Sequence, residues 1–546
     1  MNDRPLYRYL SLALLLGTFF AFAQAQAPAG YTGIYAFTSS QGNYPDSPDL
    51  LAQGTDGLLY GTLPAGAMGN RGEWFQYEMS GPPILYQMGG NTDSSTGPLS
   101  PDTGLSFPHS GFMLGIDGNF YGAAPTVSGQ AYGALFKMWG GTVTTVFSFS
   151  DGPGTGPNAG PTSPVAPPVQ ALDGNLYGVT VDGANTGWIY QVILNANGSA
   201  GLGWHFQLPS GSTAPLFLAN DGNLYGTYSN GSFSWGSTTS GVVASSNGNG
   251  GIFGVSTAGV VTWFYNLNPF NSSFPGGDGQ NPLGPVMQAA DGNLYGTASG
   301  GGANGSGQGV VYKIGRNGTG YTPIFPFQAA TGTSPQGGLV QGSDGYLYGL
   351  TSANGTLTRF QAMQGMVAKG TLFKLQPNGA NFTPLFTFMQ ESSSNSLGPG
   401  AMPLATPVLH TNGSIYGLTK HGGFKTNYDP NISGSGVPDD TGEFFSYNAG
   451  LSPFISVVGQ RSAHVGDRIT IIGQGFSTAT GITFGGVAGS WVKFNPTIWN
   501  DTSMTVTVPM GAKPGVITVL EPTGNLSTLY NFTYLCSGPF CNLHIR

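Results

Sequence analysis

Side chains that could carry out acid–base chemistry are scarce in this chain of 546 residues. It contains 24 Asp and Glu residues, of which only five are Glu, and six His. One tight acidic group is formed by Asp439, Asp440 and Glu443. This group could bind calcium, supply a glycosidase with its carboxylates, or form a solvated loop before a strand. Carboxylates from distant segments could also converge on a glycosidic bond, which their spacing along the chain does not reveal.

The histidines and cysteines form no recognisable nucleophilic or metal-binding pattern. No two histidines have the spacing of metal ligands on a helix. Cys536 and Cys541 lie close together near the C-terminus, and in an exported protein they predict a small disulfide loop. A structural zinc site takes four ligands, a number that these thiolates and His544 do not reach. We therefore predict no catalytic residue, no metal site and no cofactor. The histidines are His109, His205, His410, His421, His464 and His544.

The composition indicates a folded protein that is rich in turns. Charged residues make up 7% of the chain and hydrophobic residues 39%, which is too apolar for a disordered polyelectrolyte. The 92 Gly and 39 Pro residues make long helices improbable. The net charge is −8 and the cations are scattered, which argues against nucleic acid as a partner because phosphate binding needs clustered Lys and Arg.

The N-terminus has the pattern of a secretory signal peptide over residues 1–25. Arg4 and Arg8 precede an apolar run over residues 10–22, and small residues at Ala23 and Ala25 offer cleavage sites. A retained membrane anchor is the alternative, but the run is shorter than the roughly 20 apolar residues of a membrane helix. We expect a secreted or cell-surface protein that has no membrane span after signal removal.

A motif based on Asp-Gly-Asn-Leu-Tyr-Gly occurs seven times, with separations of 61, 56, 48, 70, 53 and 68 residues. Asp-Gly between apolar runs predicts a hairpin with a type I′ turn, in which both central residues have positive φ. A large apolar residue and then Tyr follow the turn, so both faces of this strand should be covered. The invariant final Gly suggests close approach of backbone or of a neighbouring ring. The motifs begin at Asp56, Asp117, Asp173, Asp221, Asp291, Asp344 and Asn412, and their tyrosines are Tyr60, Tyr121, Tyr177, Tyr225, Tyr295, Tyr348 and Tyr416.

Two further strands follow each of the first six motifs, which gives four short strands per repeat in a meander. After the seventh motif the fourth strand is missing, whereas a matching strand at residues 34–38 precedes the first motif. The N-terminal strand should therefore complete the last sheet and close a ring. We predict an all-β fold with a seven-bladed β-propeller over residues 31–450. An open β-solenoid is the alternative, and it does not explain the displaced strand.

From Pro453 the pattern changes to alternating strands separated by turns, over residues 453–535. This spacing fits a small two-sheet β-sandwich. Residues 536–546 are left as a C-terminal tail that contains the two cysteines.

Both regions resemble known families. The repeats are similar to the secreted bacterial GloVer tandem-repeat proteins, whose units combine this motif with Gly-x-Val-Phe-Lys; Lys137, Lys313 and Lys374 match the last position. That resemblance implies a propeller that is associated with the cell surface and has no established activity. Residues 466–519 contain Gly-Asp-x-Ile-Thr-Ile-x-Gly-x-Gly-Phe, Phe-Gly-Gly, Thr-Val-Pro and Gly-x-Ile-x-Val, which resemble the IPT/TIG immunoglobulin-like domain. This second resemblance implies a spacer or an interaction module.

Three functions remain open at this point. The favoured one is a secreted or cell-surface, non-enzymatic protein whose propeller presents loops that bind a partner, either a polysaccharide or a surface protein. Trp235, Trp491 and Trp499 lie outside the repeat strands and could stack on sugars, although packing is the commoner fate of tryptophan. The alternatives are a carbohydrate-active hydrolase or lyase, and a structural protein of the envelope or matrix.

Overall fold

The computed structural model describes most of the chain after residue 29, with several gaps. The described residues are 30–37, 51–64, 72–87, 105–106, 110–127, 132–150, 160–181, 187–212, 214–236, 240–268, 277–302, 307–363, 365–391, 400–422, 441–485, 492–494 and 497–535. Several predicted features lie outside them: the signal peptide at 1–25, His109, Asp439, Asp440, Trp491, Cys536, Cys541 and His544.

The fold is all-β, as predicted. In the first half of the repeat region the described elements are all strands. These are β1 (Tyr31–Ala36), β2 (Leu51–Gln53), β3 (Leu59–Leu63), β4 (Glu73–Tyr77), β5 (Ile84–Gln87), β6 (Leu105–Ser106), β7 (Met113–Leu114), β8 (Phe120–Ala124), β9 (Thr126–Val127), β10 (Ala134–Trp139), β11 (Thr142–Ser148), β12 (Val169–Gln170), β13 (Leu176–Val181), β14 (Gly187–Leu194), β15 (Ala200–Leu208), β16 (Phe217–Leu218), β17 (Leu224–Tyr228), β18 (Ser232–Trp235), β19 (Val242–Ser245), β20 (Gly251–Val255) and β21 (Val261–Asn266).

The second half continues the same pattern, and its described residues add one short helix and one 3-10 turn. Its elements are β22 (Met287–Gln288), β23 (Leu294–Ala298), β24 (Val310–Ile314), β25 (Thr322–Pro326), the 3-10 turn Ala329–Thr331, β26 (Val340–Gln341), β27 (Leu347–Thr351), α1 (Arg359–Met363), β28 (Met366–Leu375), β29 (Thr383–Glu391), β30 (Val408–Leu409), β31 (Ser414–Thr419) and β32 (Glu443–Asn448).

These strands form seven four-stranded antiparallel sheets, one for each motif. Sheets 1 to 6 each take their strands in chain order: β2–β5; β7, β8, β10 and β11; β12–β15; β16, β17, β20 and β21; β22–β25; and β26–β29. Two further two-stranded sheets, one of β6 with β9 and one of β18 with β19, are not part of these seven sheets.

Sheet 7 is built from the two ends of the repeat region. It has the order β1-β32-β31-β30, and the N-terminal strand pairs antiparallel with β32, with Tyr31 opposite Tyr447. The prediction that the N-terminal strand completes the last sheet is confirmed. Such pairing covers an edge of β32 that would otherwise present free N–H and C=O groups.

The motif forms the turn between the first and second strands of each sheet, but its geometry differs from the predicted type I′ turn. In the first copy the N–H of Gly57 donates to the carbonyl of Gly54 at 3.1 Å, and the N–H of Gly54 donates to the carbonyl of Leu58 at 2.9 Å. The seven motif glycines have φ between 79° and 90°, whereas no motif Asp or Asn has positive φ. The turn is therefore a longer one in which only glycine is left-handed, and the Asp carboxylate holds it by accepting the N–H of Leu58 at 3.1 Å.

The second strand of each sheet is covered on both faces, as predicted. All seven motif tyrosines and the apolar residues before them are buried. The final motif glycine makes room for the aromatic ring of the third strand, because a Cβ atom there would lie 2.4–2.7 Å from a ring atom. These glycines are Gly61, Gly122, Gly178, Gly226, Gly296, Gly349 and Gly417.

Each sheet packs face to face against the next one in the chain. Separate clusters of buried apolar residues join sheets 1 and 2, 2 and 3, 3 and 4, 4 and 5, 5 and 6, and 6 and 7. A further cluster joins sheet 7 to sheet 1, with Phe444 packed against Phe75 at a ring-centroid distance of 5.4 Å.

Glutamines at the end of the first strands add polar links between neighbouring sheets. Gln170 of sheet 3 accepts the N–H of Ile116 of sheet 2 at 2.9 Å. In the same way, Gln53 of sheet 1 accepts the N–H of Thr411 of sheet 7 at 3.0 Å. The contact between sheets 7 and 1 thus repeats the contact between sheets that are adjacent in sequence.

The C-terminal segment (residues 451–535) forms two four-stranded sheets that bury one core between them. A parallel pair, β34–β42, lies beside them. The sheet orders are β33-β35-β39-β38 and β37-β36-β40-β41. The elements are β33 (Ser456–Val457), β34 (Ser462–His464), β35 (Arg468–Ile472), the 3-10 turn Phe476–Thr478, β36 (Gly481–Phe484), β37 (Val492–Phe494), β38 (Thr497–Asn500), β39 (Ser503–Thr507), β40 (Ile517–Leu520), β41 (Leu526–Ser527) and β42 (Thr533–Leu535).

The two ends of the repeat sheets carry different connections. At one end, called the turn edge here, the short motif turns join the first strands to the second. At the opposite end, called the loop edge, longer connections join the second strands to the third, as between Tyr228 and Gly251. The C-terminal segment contacts the turn edge: Thr502 Oγ1 donates to the carbonyl of Thr55 at 2.9 Å, and the N–H of Phe454 donates to the carbonyl of Thr411 at 3.1 Å.

Within the described part of the chain, no helix combines the length and the apolar character that crossing a lipid bilayer requires.

Candidate functional site

The motif acids have a second role besides shaping the turn. In six copies the Asp carboxylate accepts a hydrogen bond from the hydroxyl of the tyrosine four residues later, with oxygen–oxygen distances of 2.5–2.8 Å. The pKa of each of these tyrosines is raised, first by burial and then by the neighbouring carboxylate. The phenols therefore remain protonated and act as donors. Each carboxylate is used as a hydrogen-bond acceptor within its own motif. The constant Asp-x-x-x-Tyr spacing was the sequence signal for this pairing.

The seventh copy lacks this pairing because Asn412 replaces the acid. Asn412 still accepts the N–H of Ser414 at 2.8 Å, so the turn is kept. The hydroxyl of Tyr416 lies 3.6 Å from the sulfur of Met79 in sheet 1. The asparagine therefore performs the turn function of the motif without the carboxylate function.

Replacing Asp291 with Ala is expected to lower the free energy of unfolding by about 2 kcal/mol. The change removes the acceptor of the buried Tyr295 hydroxyl at 2.7 Å and of the Asn293 N–H at 3.0 Å. Asp291→Asn should cost less, since the seventh copy keeps its turn with Asn412. Urea denaturation of the three proteins measures the difference, and an Ala variant as stable as the wild type would contradict this role.

The acidic group that the sequence offered for catalysis is only partly described. Glu443 is buried, with 1% of its surface exposed, and its Oε2 accepts the hydroxyl of Tyr31 at 2.8 Å. The carboxylate thus fastens β1 to β32 instead of facing solvent.

Glu73 is a second buried carboxylate, which sequence reasoning did not single out. It stands at the start of β4 of sheet 1, where Glu443 stands at the start of β32 of sheet 7. Its Oε2 has no hydrogen-bond partner among the described residues, and burial raises its pKa to about 8. The shared Gly-Glu-aromatic-Phe sequence of the two sites was the available signal.

His410 is also a structural side chain. Its Nδ1 accepts the N–H of Asn412 at 3.1 Å, so Nε2 carries the proton and donates to the carbonyl of Gly57 at 2.9 Å. Burial lowers its pKa, which keeps the ring neutral. The histidine therefore joins the motif turn of sheet 7 to that of sheet 1.

Trp235 is exposed, in contrast to the packing that is the commoner fate of tryptophan. Trp235 is 62% exposed and lies in the extra hairpin β18–β19 at the loop edge of sheet 4, with its ring 4.9 Å from that of Phe264. Trp139, which the sequence did not single out, is 65% exposed at the turn edge of sheet 2. The backbone of Trp499 lies in β38, whereas its side chain is outside the described part of the structure.

A cavity of about 350 Å³ lies between the first strands of sheets 4 to 7 and the C-terminal segment. Its walls are mainly aliphatic, and Arg461 is the cationic side chain among its lining residues. The lining residues are Pro215, Leu216, Phe217, Pro285, Val286, Met287, Gln288, Leu339, Val340, Gln341, Thr406, Pro407, Val408, Leu409, Phe454, Ser456, Arg461, Leu529 and Tyr530. The size falls within the range of small-molecule sites.

Arg461 reaches this cavity from the C-terminal segment. Its guanidinium carbon lies 4.2 Å from the ring centre of Tyr530 and 5.0 Å from that of Phe217. One nitrogen, Nη1, donates to the carbonyl of Gln288 at 2.8 Å. Burial lowers the pKa of the group, yet arginine remains protonated in proteins. The charge is thus held in a fixed position at the wall of the cavity.

Part of the repeat region matches a known protein family. Residues 228–429 match the family described as the Gloeobacter/Verrucomicrobia repeat, over a stretch that includes the motifs beginning at Asp291, Asp344 and Asn412. No similar sequence was found among curated proteins.

Proposed function

We propose that this chain is an exported binding protein in which the seven repeat sheets are the blades of a β-propeller. The proposal is supported by seven similar four-stranded sheets, by the β1–β32 pairing and by the packing of sheet 7 on sheet 1. An open solenoid would leave its first and last sheets apart. The pairing of the N-terminal strand with the last sheet joins the two ends of the repeat region, as a closed ring requires.

The C-terminal segment is proposed to be an immunoglobulin-like sandwich of the IPT/TIG type. Two facing four-stranded sheets with a common core of Ile, Val, Met and Phe side chains support this assignment. Its contacts with the turn edge favour a role as a fixed support for the repeat sheets. We propose residues 31–450 as the bounds of the propeller and residues 453–535 as the bounds of the sandwich.

Export is proposed from the signal-like residues 1–25 and from the resemblance to secreted repeat proteins. The expected location is the cell exterior or the cell surface.

Ligand binding is proposed at the loop edge, and one observation carries this step: the exposed Trp235 on an inserted hairpin. The hairpin adds residues 229–250 between the second and third strands of sheet 4, where other sheets have different connections. Trp235 and the partly exposed Phe264 form an aromatic surface, with their ring centres 4.9 Å apart. Aromatic rings of this kind stack on the apolar faces of sugar rings, so a polysaccharide is the proposed ligand.

The first test is a binding screen of the mature protein on insoluble polysaccharides and on a glycan array. Trp235→Ala is expected to weaken saturable binding about tenfold, which corresponds to about 1.4 kcal/mol of lost stacking. Trp139→Ala is the matched control, since it removes an equally exposed tryptophan from the turn edge and should leave binding unchanged. Equal retention of Trp235→Ala and wild type, or no binding to any polysaccharide, would exclude this ligand.

A further inference from the structure

The cavity beside Arg461 has an apolar body and a polar end. Pro215, Pro285 and Pro407 precede the first strands of three sheets and so lie toward the loop edge. Arg461 and Tyr530 belong to the C-terminal segment, which contacts the turn edge. A molecule in the cavity would therefore have aliphatic walls along its length and a cation at the end next to the C-terminal segment.

The guanidinium has hydrogen-bonding capacity that the protein does not use. Arginine carries five N–H donors, and Arg461 makes one side-chain hydrogen bond among the described residues, to the carbonyl of Gln288. No described carboxylate forms an ion pair with it. Asp291 lines a smaller adjoining pocket with Arg461, but its Oδ2 accepts from Tyr295 and from Asn293 Nδ2.

A charge in such surroundings is costly when it lacks a counter-charge. Aromatic faces on Tyr530 and Phe217 stabilise the cation in part. A partly buried guanidinium gains more from a carboxylate, which matches two of its donors in a planar, bidentate arrangement. The site thus combines a fixed donor group with an apolar volume.

We propose that this cavity binds a small amphipathic monocarboxylate, with its carboxylate on Arg461 and its apolar part between the first strands of sheets 4 to 7. A compact aliphatic or alicyclic acid fits this chemistry better than a free sugar. The lining offers a sugar few polar partners, among them Gln288, Gln341, Thr406 and Ser456. A dianion or polyanion would leave charge unpaired, because one cation lines the cavity. The inference goes beyond the proposed polysaccharide site and does not depend on it.

Octanoate and its neutral isostere octanamide test the proposal on the full mature chain, by isothermal titration calorimetry and by the shift in melting temperature. Octanoate should bind saturably and raise the melting temperature, while octanamide should bind at least about tenfold more weakly. Arg461→Met should lose this preference for the charged ligand. Arg468→Met, which removes an exposed arginine of β35, should retain it.

A second variant guards against loss of folding in Arg461→Met. Val408→Trp places a ring in the cavity without removing the cation, and it should abolish octanoate binding. Equal affinity for octanoate and octanamide, or undiminished octanoate binding by Val408→Trp, would overturn the proposal. Absence of any octanoate binding at up to about 10 mM would overturn it as well. Trp235→Ala should bind octanoate normally, which separates this site from the polysaccharide site.

Discussion

Tyr31→Ala is expected to lower the free energy of unfolding by about 4 kcal/mol, because a buried aromatic ring and a hydrogen-bond donor to a buried carboxylate disappear together. The ring of Tyr31 stacks on Phe386 with a centroid distance of 3.9 Å and an interplanar angle of 6°. It also lies 5.5 Å from Phe445. Its hydroxyl donates to Glu443. One side chain thus joins β1 to the core between sheets 6 and 7.

Two further variants separate the contributions in this prediction. Tyr31→Phe keeps the ring and leaves Glu443 without this donor, so it should cost about 2 kcal/mol. Thr32→Ala changes the exposed neighbour on the same strand and should have almost no effect. Denaturation with urea, followed by tryptophan fluorescence, measures all three. A loss below about 1 kcal/mol for Tyr31→Ala would mean that β1 contributes little to the stability of sheet 7.

Glu73→Gln is expected to remove a marked pH dependence of stability. Burial raises the pKa of Glu73 to about 8 in the folded protein, well above its value in an unfolded chain. Between the two pKa values the folded state binds one proton more than the unfolded state, so stability falls as the pH rises. The loss from pH 5 to pH 8 is at most about 4 kcal/mol.

Melting temperatures of the wild type and Glu73→Gln at several pH values between 5 and 8 provide the measurement. The two curves should lie close together at pH 5, and the variant should be the more stable protein at pH 8. His410 has the opposite pH dependence, since burial lowers its pKa, but its contribution is common to both proteins. Glu78→Gln, which removes an exposed glutamate directly after β4, is the control for loss of a carboxylate. A difference in melting temperature between wild type and Glu73→Gln that stays constant from pH 5 to pH 8 would refute the raised pKa of Glu73.

The repeated sheets could be predicted because each depends on local patterns that occur seven times. Alternation of apolar residues, the Asp-Gly turns and the displaced N-terminal strand sufficed to predict four strands per motif and the pairing of β1 with β32. The turn type was wrong because the Asp carboxylate accepts a backbone N–H and holds Asp in a conformation with negative φ. Local side-chain bonding outweighed the statistical preference of Asp-Gly for type I′ turns.

The candidate sites were less accessible to sequence reasoning because they depend on distant contacts. Arg461 and Gln288 are 173 residues apart in the chain, and no local pattern indicates that they meet. No pattern in the sequence distinguishes Trp235 from a packed tryptophan. Its exposure follows from the hairpin of β18 and β19, which lies outside the repeat sheet. Glu73 and Glu443 have similar sequence surroundings but different partners, because β1 supplies Tyr31 to Glu443.

The pairing of β1 with β32 also determines the order of events during synthesis. Tyr31 and Glu443 are 412 residues apart, so β1 leaves the ribosome long before its partner exists. At about 5–20 residues per second the wait lasts between roughly 20 and 80 s. During this time β1 has no partner strand, so its edge could pair with another chain. Closing sheet 7 needs a contact between residues 412 positions apart, so we expect it to be a late step of folding.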